Sequence, residues 1–203
     1  MGIVVDHEKR KKEILKKALD VFVDEGYEDA TFQKIASRCE ITRTTLYIYF
    51  KNKREIFLWS IKELTSGLEA SLQAIIDSTD KAHNQKLLAM FECIVQECID
   101  NRQLFSVILG YLIQLQKAGK SPESKVRRRI MRLRHLLSTV LIEGKKAGEF
   151  KDINVKAANE MFYSLIESSI FRLAILNQKK IDEMLSSIEL AVAGITIDKA
   201  TKA

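Results

Sequence analysis

The sequence predicts an all-α fold, and two observations carry this prediction. The chain has 203 residues but only one proline and eight glycines, too few for the turns of a β-rich fold or for glycine-rich phosphate loops. In every segment with a clear period, apolar residues recur at the spacing of an amphipathic helix. Hydrophobic residues make up 46% of the chain and charged residues 30%, a composition typical of a soluble globular protein.

The first predicted helix runs over His7–Glu25, with an apolar stripe that includes Ile14, Ala18 and Phe22. Gly26 follows at the position where a helix commonly ends on a glycine. The other helices are predicted, in chain order, over Phe32–Cys39, Arg43–Phe50, Asn52–Ser78, Ala82–Asp100, Arg102–Lys117, Pro122–Gly148, Asn154–Asn177 and Ile181–Ile197.

Two local signals mark where later helices begin. Asn52 and Glu55 have the spacing of a capping box, with Asn52 as the N-cap of the long helix. Pro122, the only proline, suits the first turn of a helix. The one candidate domain seam lies near the start of the long helix. We therefore expect one domain over residues 1–52 and a second over residues 53–203.

The segment before the long helix has the layout of a helix-turn-helix. Ile35, Cys39, Ile41 and Leu46 are apolar at positions that would face one another across a tight corner. The second short helix opens with Thr42-Arg43-Thr44-Thr45, whose hydroxyl and guanidinium groups can contact phosphates or base edges in a DNA major groove. On geometry alone, the alternative is a plain αα corner inside a helical bundle.

Residues 8–60 resemble the DNA-binding domain of the TetR family of bacterial transcriptional regulators. The resemblance is carried by Gly26-Tyr27 and, most specifically, by the string Leu46-Tyr47-Ile48-Tyr49-Phe50-Lys51-Asn52-Lys53. It departs at the turn, where Glu40 stands in place of the usual glycine. We expect Glu40 to adopt a left-handed backbone conformation. The alternative is a looser turn, in which the first short helix continues through Glu40.

The resemblance implies a DNA-binding repressor with an N-terminal three-helix helix-turn-helix domain, joined by a long helix to a C-terminal helical ligand-binding and dimerisation domain. Its implied partners are double-stranded operator DNA, a second copy of the chain and an unidentified small-molecule effector. Thr31 and Thr42 would cap their helices and touch phosphates. Arg43, Thr44 and Thr45 would meet base edges, and Tyr47 and Lys53 would contact phosphates. The implied DNA-contacting residues are Thr31, Thr42, Arg43, Thr44, Thr45, Tyr47, Tyr49 and Lys53.

The resemblance also implies roles for the second domain. Mostly apolar side chains of the middle helices would line a ligand pocket. The pocket candidates are Trp59, Phe91, Ile94, Phe105, Leu109, Met131, His135 and Phe162. The last two helices would pair with their counterparts in a second subunit, and the candidate dimer residues are Ala158, Phe162, Leu165, Ile166 and Ser169. For each of these residues the alternative is a place in the ordinary core.

Other classes of protein find less support in the sequence. No run of 18 apolar residues exists, so neither a membrane span nor a membrane partner is expected. Three cysteines and three histidines lack the spacing of a metal site, and no cofactor is expected. No histidine–carboxylate pair, activated nucleophile or phosphate loop indicates an enzyme. We expect a cytoplasmic, non-enzymatic regulator, with a structural helical adaptor as the remaining alternative.

A basic run lies in the middle of the chain, at Arg127-Arg128-Arg129 and at Arg132 and Arg134. It could hold an anionic effector or add to the attraction for DNA. The favoured interpretation is a solvated helix face, because consecutive arginines point in several directions around a helix.

Overall fold

The computed structural model describes residues 6–121, 124–178 and 181–197. Within these ranges the backbone is helical apart from short connections and one isolated antiparallel bridge between Phe150 and Thr196. The prediction of an all-α fold is therefore confirmed. The helices are α1 (His7–Asp29), α2 (Phe32–Arg38), α3 (Arg43–Tyr49), α4 (Lys53–Asp77), α5 (His83–Asp100), α6 (Arg102–Lys117), α7 (Ser124–Lys146), α8 (Val155–Ala174) and α9 (Ile181–Ile195).

The helix boundaries differ from the predicted ones by a few residues, and α1 differs for a clear reason. Gly26 has φ 76° and ψ 169°, a conformation that interrupts the helix where its end was predicted. Helical geometry then resumes and continues to Asp29, so α1 carries a kink instead of a terminus. Glycine adopts such a positive φ without steric cost, which explains the residue type at the kink. The predicted start at Pro122 lies outside the described residues.

Packing divides the chain into two units. The first comprises residues 1–67 and 103–125, and the second comprises residues 68–102 and 126–203. The division falls inside α4 and groups α6 with the N-terminal helices. The predicted division into domains at residue 52 stays a prediction.

Aromatic rings build the centre of the first unit. Phe22 of α1 and Phe57 of α4 meet edge to face, with ring centroids 4.9 Å apart. Tyr27 lies 4.8 Å from Phe57, and Tyr111 of α6 lies 5.1 Å from the same ring. Leu46 of α3 is fully buried in the same cluster. Burial of Leu46 in this cluster determines which side of α3 faces solvent.

The second unit has α5 packed against both α8 and α9. Phe91 of α5 and Phe162 of α8 are buried and contact each other, with ring centroids 5.5 Å apart. The corner between α4 and α5 is closed by a buried lysine, because Lys86 Nζ donates a hydrogen bond of 2.7 Å to the carbonyl of Ile76. Such a cation satisfies a carbonyl at the end of α4 that no helical N–H can reach.

Candidate nucleic-acid interface

The turn between α2 and α3 is tight. Glu40 has φ 57°, the left-handed conformation expected from the sequence. Its N–H donates to the carbonyl of Ser37 at 3.0 Å, and the N–H of Ile41 donates to the carbonyl of Ala36 at 3.1 Å. These two bonds form a Schellman motif with Glu40 at the position that glycine usually takes. The alternative, in which α2 continues through Glu40, is therefore excluded.

Each short helix begins with a threonine cap, as predicted. Thr31 Oγ1 accepts a hydrogen bond of 3.1 Å from the N–H of Lys34, and Thr42 Oγ1 accepts one of 3.0 Å from the N–H of Thr45. The hydroxyl of Thr45 lies 2.8 Å from that of Thr42, so the two form a pair. Caps of this kind typically contribute about 1 kcal/mol to stability, and here they also fix the start of α3.

The solvent-facing side of α3 consists of Arg43, Thr44, Tyr47 and Ile48, which we call the reading face. Arg43 Nη2 donates to the hydroxyl of Tyr47 at 3.3 Å. The Tyr47 ring in turn packs against the ring of Phe32 in α2, with centroids 4.5 Å apart. Tyr47 thus holds the Arg43 guanidinium and is itself held by α2. This arrangement reduces the conformational entropy that Arg43 would lose on binding.

Tyr49 and Lys53, two further candidate DNA-contacting residues, also have partners within the chain. Tyr49 is half-buried, and its ring lies 5.8 Å from that of His7. Lys53 Nζ donates to the carbonyls of Tyr27 at 2.7 Å and of Glu28 at 2.9 Å. Lys53 therefore closes the end of α1, a role that the sequence did not predict. Two of its three N–H donors are used in this way, and its contact with a phosphate stays a prediction.

The start of α4 follows the predicted capping box with one change. Asn52 Oδ1 accepts a hydrogen bond of 2.9 Å from the N–H of Glu55, as expected. The carboxylate of Glu55 accepts from the N–H of Lys51 at 2.7 Å, one residue before the N-cap. The loop between α3 and α4 is therefore fixed at both ends, and Lys51 is held at the surface beside α3.

Several basic side chains of the first unit are occupied by ion pairs. Lys34 Nζ lies 2.6 Å from a carboxylate oxygen of Glu25, and Arg38 Nη2 lies 2.7 Å from one of Asp24. The hydrogen bond to Asp24 raises the pKa of Arg38 further above its ordinary value. These exposed pairs join α2 to α1 and contribute little each to stability. The ion pairs also neutralise most of the positive charge on this side of α2, whereas the positive charge on the reading face is not balanced in this way.

The pocket candidates are distributed over both units. Trp59, Phe105 and Leu109 lie in the first unit, where the Trp59 ring has the ammonium groups of Lys11 and Lys62 over it at 4.4 and 4.3 Å. In the second unit, three candidates are buried and two are exposed. The buried ones are Phe91, Ile94 and Phe162, and the exposed ones are Met131 and His135. Phe91 and Phe162 contact each other, and the role of the set in ligand binding stays a prediction.

Most of the dimer candidates are buried within the chain's own second unit. Ala158, Phe162, Ile166 and Ser169 all lie on the inner side of α8, and only Leu165 is half-buried. The apolar side chains that α8 and α9 expose are different ones, namely Met161, Phe171 and Leu190. A shallow groove on the surface between these helices is lined by Leu165, Ser168, Ser169, Arg172, Met184, Ser187 and Ile188.

The basic run of α7 is solvated in part. Arg127 and Arg128 are exposed, as the interpretation as a solvated face requires. Arg129 differs, because its Nη1 lies 2.9 Å from a carboxylate oxygen of Glu69. Arg134 pairs with Glu160, and its guanidinium lies over the ring of Tyr163. These arginines therefore tie α7 to its neighbours within the second unit.

Two side chains near the interface were missed by the sequence analysis. Phe32 supports Tyr47, and Ile48 is 69% exposed on the reading face. A helical projection of α3 places Ile48 beside Thr44, so this signal was available from spacing. Phe32 lies in another helix, 15 positions before Tyr47 in the numbering, and no local pattern indicates that contact.

The thiols have the surroundings of core residues. Burial raises the pKa of Cys39, which lies in the turn, and raises the pKa of Cys98 to about 12. Both side chains are buried, and Cys93 is half-buried with its pKa also raised by burial. These thiols are neutral at physiological pH and poor nucleophiles. The described residues contain no cluster of side chains that could hold a metal ion, and none of the described helices is long and apolar enough to cross a membrane.

Comparison with known proteins adds three findings. Residues 14–58 match the sequence model of bacterial regulatory proteins of the tetR family, over α1–α3 and the start of α4. The fatty acid metabolism regulator protein of Bacillus subtilis (strain 168) is 25% identical over 194 residues, which cover 93% of this chain and 97% of the relative. The transcriptional activator FasR of Mycolicibacterium smegmatis is 33% identical over 122 residues, 59% of this chain and 55% of FasR.

A solved structure extends the likeness to the whole fold. The transcriptional regulator FadR from Bacillus subtilis, in complex with stearoyl-CoA, superposes with a TM-score of 0.72 at 23% sequence identity. The match covers 91% of this chain and 98% of the FadR chain. The second unit, which lies outside the family sequence model, therefore shares its fold with that chain.

Proposed function

The chain belongs to the TetR family of bacterial transcriptional regulators, and we propose that it is a repressor that binds operator DNA as a homodimer and leaves it when a small-molecule effector binds. The observation that carries the proposal is the reading face, since a capped, rigidly supported α3 exposes Arg43, Thr44 and Tyr47 to solvent. Guanidinium, hydroxyl and phenol groups are suited to base edges and phosphates in a major groove.

In the proposed binding mode, α3 lies in the major groove with its N-terminal end toward the bases. Arg43 and Thr44 contact base edges. Thr31 and Tyr47 contact phosphates from the two sides of the helix-turn-helix. Thr45 keeps its hydroxyl on Thr42 and acts through the geometry of the cap. Phosphate contacts give affinity that falls with salt, whereas base contacts determine which sequence is preferred.

We place the dimer contact on the outer side of α8 and α9. Leu190 is 75% exposed there, and Met161 and Phe171 add further exposed apolar surface. Ser168 and Ser187 beside the groove are small enough to let a second pair of helices approach closely. A second copy covers this surface by two-fold symmetry, which also matches the two half-sites of a palindromic operator.

The effector we propose is a long-chain fatty acyl-CoA. The relative in Bacillus subtilis is named for fatty acid metabolism, and the similar FadR structure holds stearoyl-CoA. An acyl chain needs an apolar lining, which Phe91, Ile94 and Phe162 would supply. We place the protein in the cytoplasm and expect it to bind the acyl-CoA without converting it. Mass spectrometry of the acyl-CoA recovered after DNA release should therefore show an unchanged mass.

Selection of bound DNA from a random pool tests the DNA-binding part of the proposal. We expect a palindromic consensus with half-site centres about 34–36 Å apart, and binding that weakens steeply with salt. Arg43→Ala should change which operator variants are preferred, at about 1–3 kcal/mol for a lost base contact. Arg128→Ala, which removes an exposed arginine of α7, is the matched control and should leave the preference unchanged. A pool without an enriched sequence would contradict the proposal.

Release from the selected operator tests the effector. Stearoyl-CoA should lower operator affinity, whereas free CoA and butyryl-CoA, which lack the long chain, should not. By reciprocity, saturating operator DNA should weaken stearoyl-CoA binding by the same factor. Equal operator affinity with and without stearoyl-CoA would exclude this effector class.

A reporter whose promoter overlaps the operator distinguishes repression from activation, because expression should fall when the protein is supplied.

A further inference from the structure

We propose that Ile48 is a specificity-determining residue that packs against the C5-methyl group of a thymine in each operator half-site. The inference rests on the proposed DNA-binding function and adds a contact to it. Ile48 is 69% exposed, although the opposite side of the same helix is buried through Leu46. It lies between two tyrosines of which the second, Tyr49, turns toward His7 and not toward solvent.

The position of Ile48 on α3 is fixed by helical geometry. At 3.6 residues per turn, Ile48 lies about 40° around the axis from Thr44 and about 160° from Leu46. Leu46 is fully buried in the core of the first unit, so α3 cannot rotate to hide Ile48 without exposing Leu46. Ile48 therefore shares the solvent side of the helix with Thr44, one turn further along.

Exposure of a single apolar side chain is common on protein surfaces and by itself decides nothing. The surroundings of Ile48 are the informative feature. The other members of the reading face, Arg43, Thr44 and Tyr47, all carry hydrogen-bonding groups, and Ile48 does not. Isoleucine also forms helices less readily than lysine or glutamate, so it gives α3 neither packing nor helix propensity at this position.

The major groove offers one partner with matching chemistry. Each base edge there presents donors and acceptors, and thymine alone adds an apolar C5-methyl group. Ile48 can bury that methyl without removing a donor or acceptor from water. A rise of about 1.5 Å per residue puts Ile48 about 6 Å along the helix from Thr44. With base pairs about 3.4 Å apart, the thymine should lie about two base pairs from the base that Thr44 meets.

Replacement of single thymines by deoxyuridine in the selected operator tests the inference, because uracil pairs like thymine but lacks the methyl group. Wild-type protein should lose about fourfold in affinity per half-site at one symmetry-related position, because the uracil operator has no methyl group whose burial would favour binding. Ile48→Ala should bind the thymine and uracil operators equally at that position. Ile48→Val, which keeps a branched side chain, should retain part of the discrimination.

Two controls make the outcomes distinct. Ile113→Ala removes an isoleucine of α6 that is 51% exposed, and it should discriminate thymine from uracil as the wild type does. Fluorescence of Trp59, the single tryptophan, verifies that each variant is folded. Specific operator binding in which no thymine methyl depends on Ile48 would overturn this inference and leave the proposed function intact. Failure of the wild type to enrich any DNA would overturn the proposed function, and this inference with it.

Discussion

The two packing units expose surfaces of opposite chemistry. On the first unit, α3 turns guanidinium, hydroxyl and phenol groups outward from Arg43, Thr44 and Tyr47. On the second unit, α8 and α9 turn apolar side chains outward, with Leu190 the most exposed of them at 75%. Charged and hydroxyl groups match a phosphate backbone and base edges. Exposed apolar side chains are suited to another protein surface, and here we propose a second copy.

The two surfaces also differ in how their side chains are held. Arg43 and Tyr47 are held by contacts inside the helix-turn-helix, namely the threonine cap at the start of α3 and the ring of Phe32, 15 positions before Tyr47. The exposure of Leu190 depends on how α5 packs against α8 and α9, and α5 is far from both of these helices in the sequence. The comparison teaches that a binding surface built by local contacts can be recognised from sequence, whereas one left over by tertiary packing cannot.

The largest expected effect comes from the apolar surface of the second unit. Leu190→Arg should give a monomer, because the charge would be buried at the centre of the proposed interface. Operator affinity should fall by about two to four orders of magnitude, since the second half-site loses its effective concentration. Sedimentation and operator titration measure the two effects. Ile113→Arg, a matched change on α6, should alter neither, and a dimeric Leu190→Arg would place the interface elsewhere.

The next effect separates the inner side of α8 from the outer side. Phe162→Ala should lower the free energy of unfolding by about 3–5 kcal/mol, because it leaves a cavity beside Phe91. Met161→Ala, one residue earlier and 40% exposed, should cost less than about 1 kcal/mol in the chain itself. Urea unfolding at one protein concentration compares them. A loss below about 1 kcal/mol would contradict the tight packing of Phe162 against Phe91.

Lys53 sharpens the comparison on the side of the first unit. Lys53→Met should lower the free energy of unfolding by about 1–2 kcal/mol, because the carbonyls of Tyr27 and Glu28 lose their partner. The salt dependence of operator binding should also become shallower by about one unit if its third N–H meets a phosphate, as predicted. Lys16→Met removes an equal charge from the exposed side of α1 as the control. An unchanged salt slope with reduced stability would limit Lys53 to closing α1.

The smallest effect is expected at the turn. Glu40→Gly relieves about 1 kcal/mol of strain at φ 57° but raises the entropy of the unfolded chain by about 0.4–1 kcal/mol. It also removes the exposed ion pair with Lys17, which contributes little. Stability in urea should therefore stay within about 0.5 kcal/mol of the wild type. A loss above about 1 kcal/mol would show that the carboxylate of Glu40 stabilises the turn more than its backbone strains it.

Much of the first unit was predictable because its signals are local. Threonine caps and the Asn52–Glu55 spacing each act within four residues, and Gly26 marked the point where α1 is interrupted, although the helix does not end there as predicted. Even the unusual backbone of Glu40 followed from its place in the turn. The closure of α1 by Lys53 was not predictable, because the two groups are 26 residues apart and a lysine has no preferred distant carbonyl.

The candidate sites of the second unit show where such reasoning ends. An amphipathic stripe on α8 identifies which residues are apolar, but not which partner covers them. Ala158 and Ile166 are covered by the chain's own second unit, while Leu190 of α9 is not. The distinction depends on how α5 packs between other helices, which periodicity does not encode. In the same way, the grouping of α6 with the N-terminal helices depends on the contacts of Tyr111 with Tyr27 and Phe57.

The central claim is that the first unit determines which DNA sequence is bound, whereas the second unit determines how many copies of the protein bind together. Parallel selection of DNA from a random pool by the wild type and by Leu190→Arg, the latter at high protein concentration, tests this claim most directly. The account predicts the same half-site sequence for both proteins, in two inverted copies for the wild type and in one copy for the variant. A changed half-site sequence, or two copies retained by the variant, would contradict it.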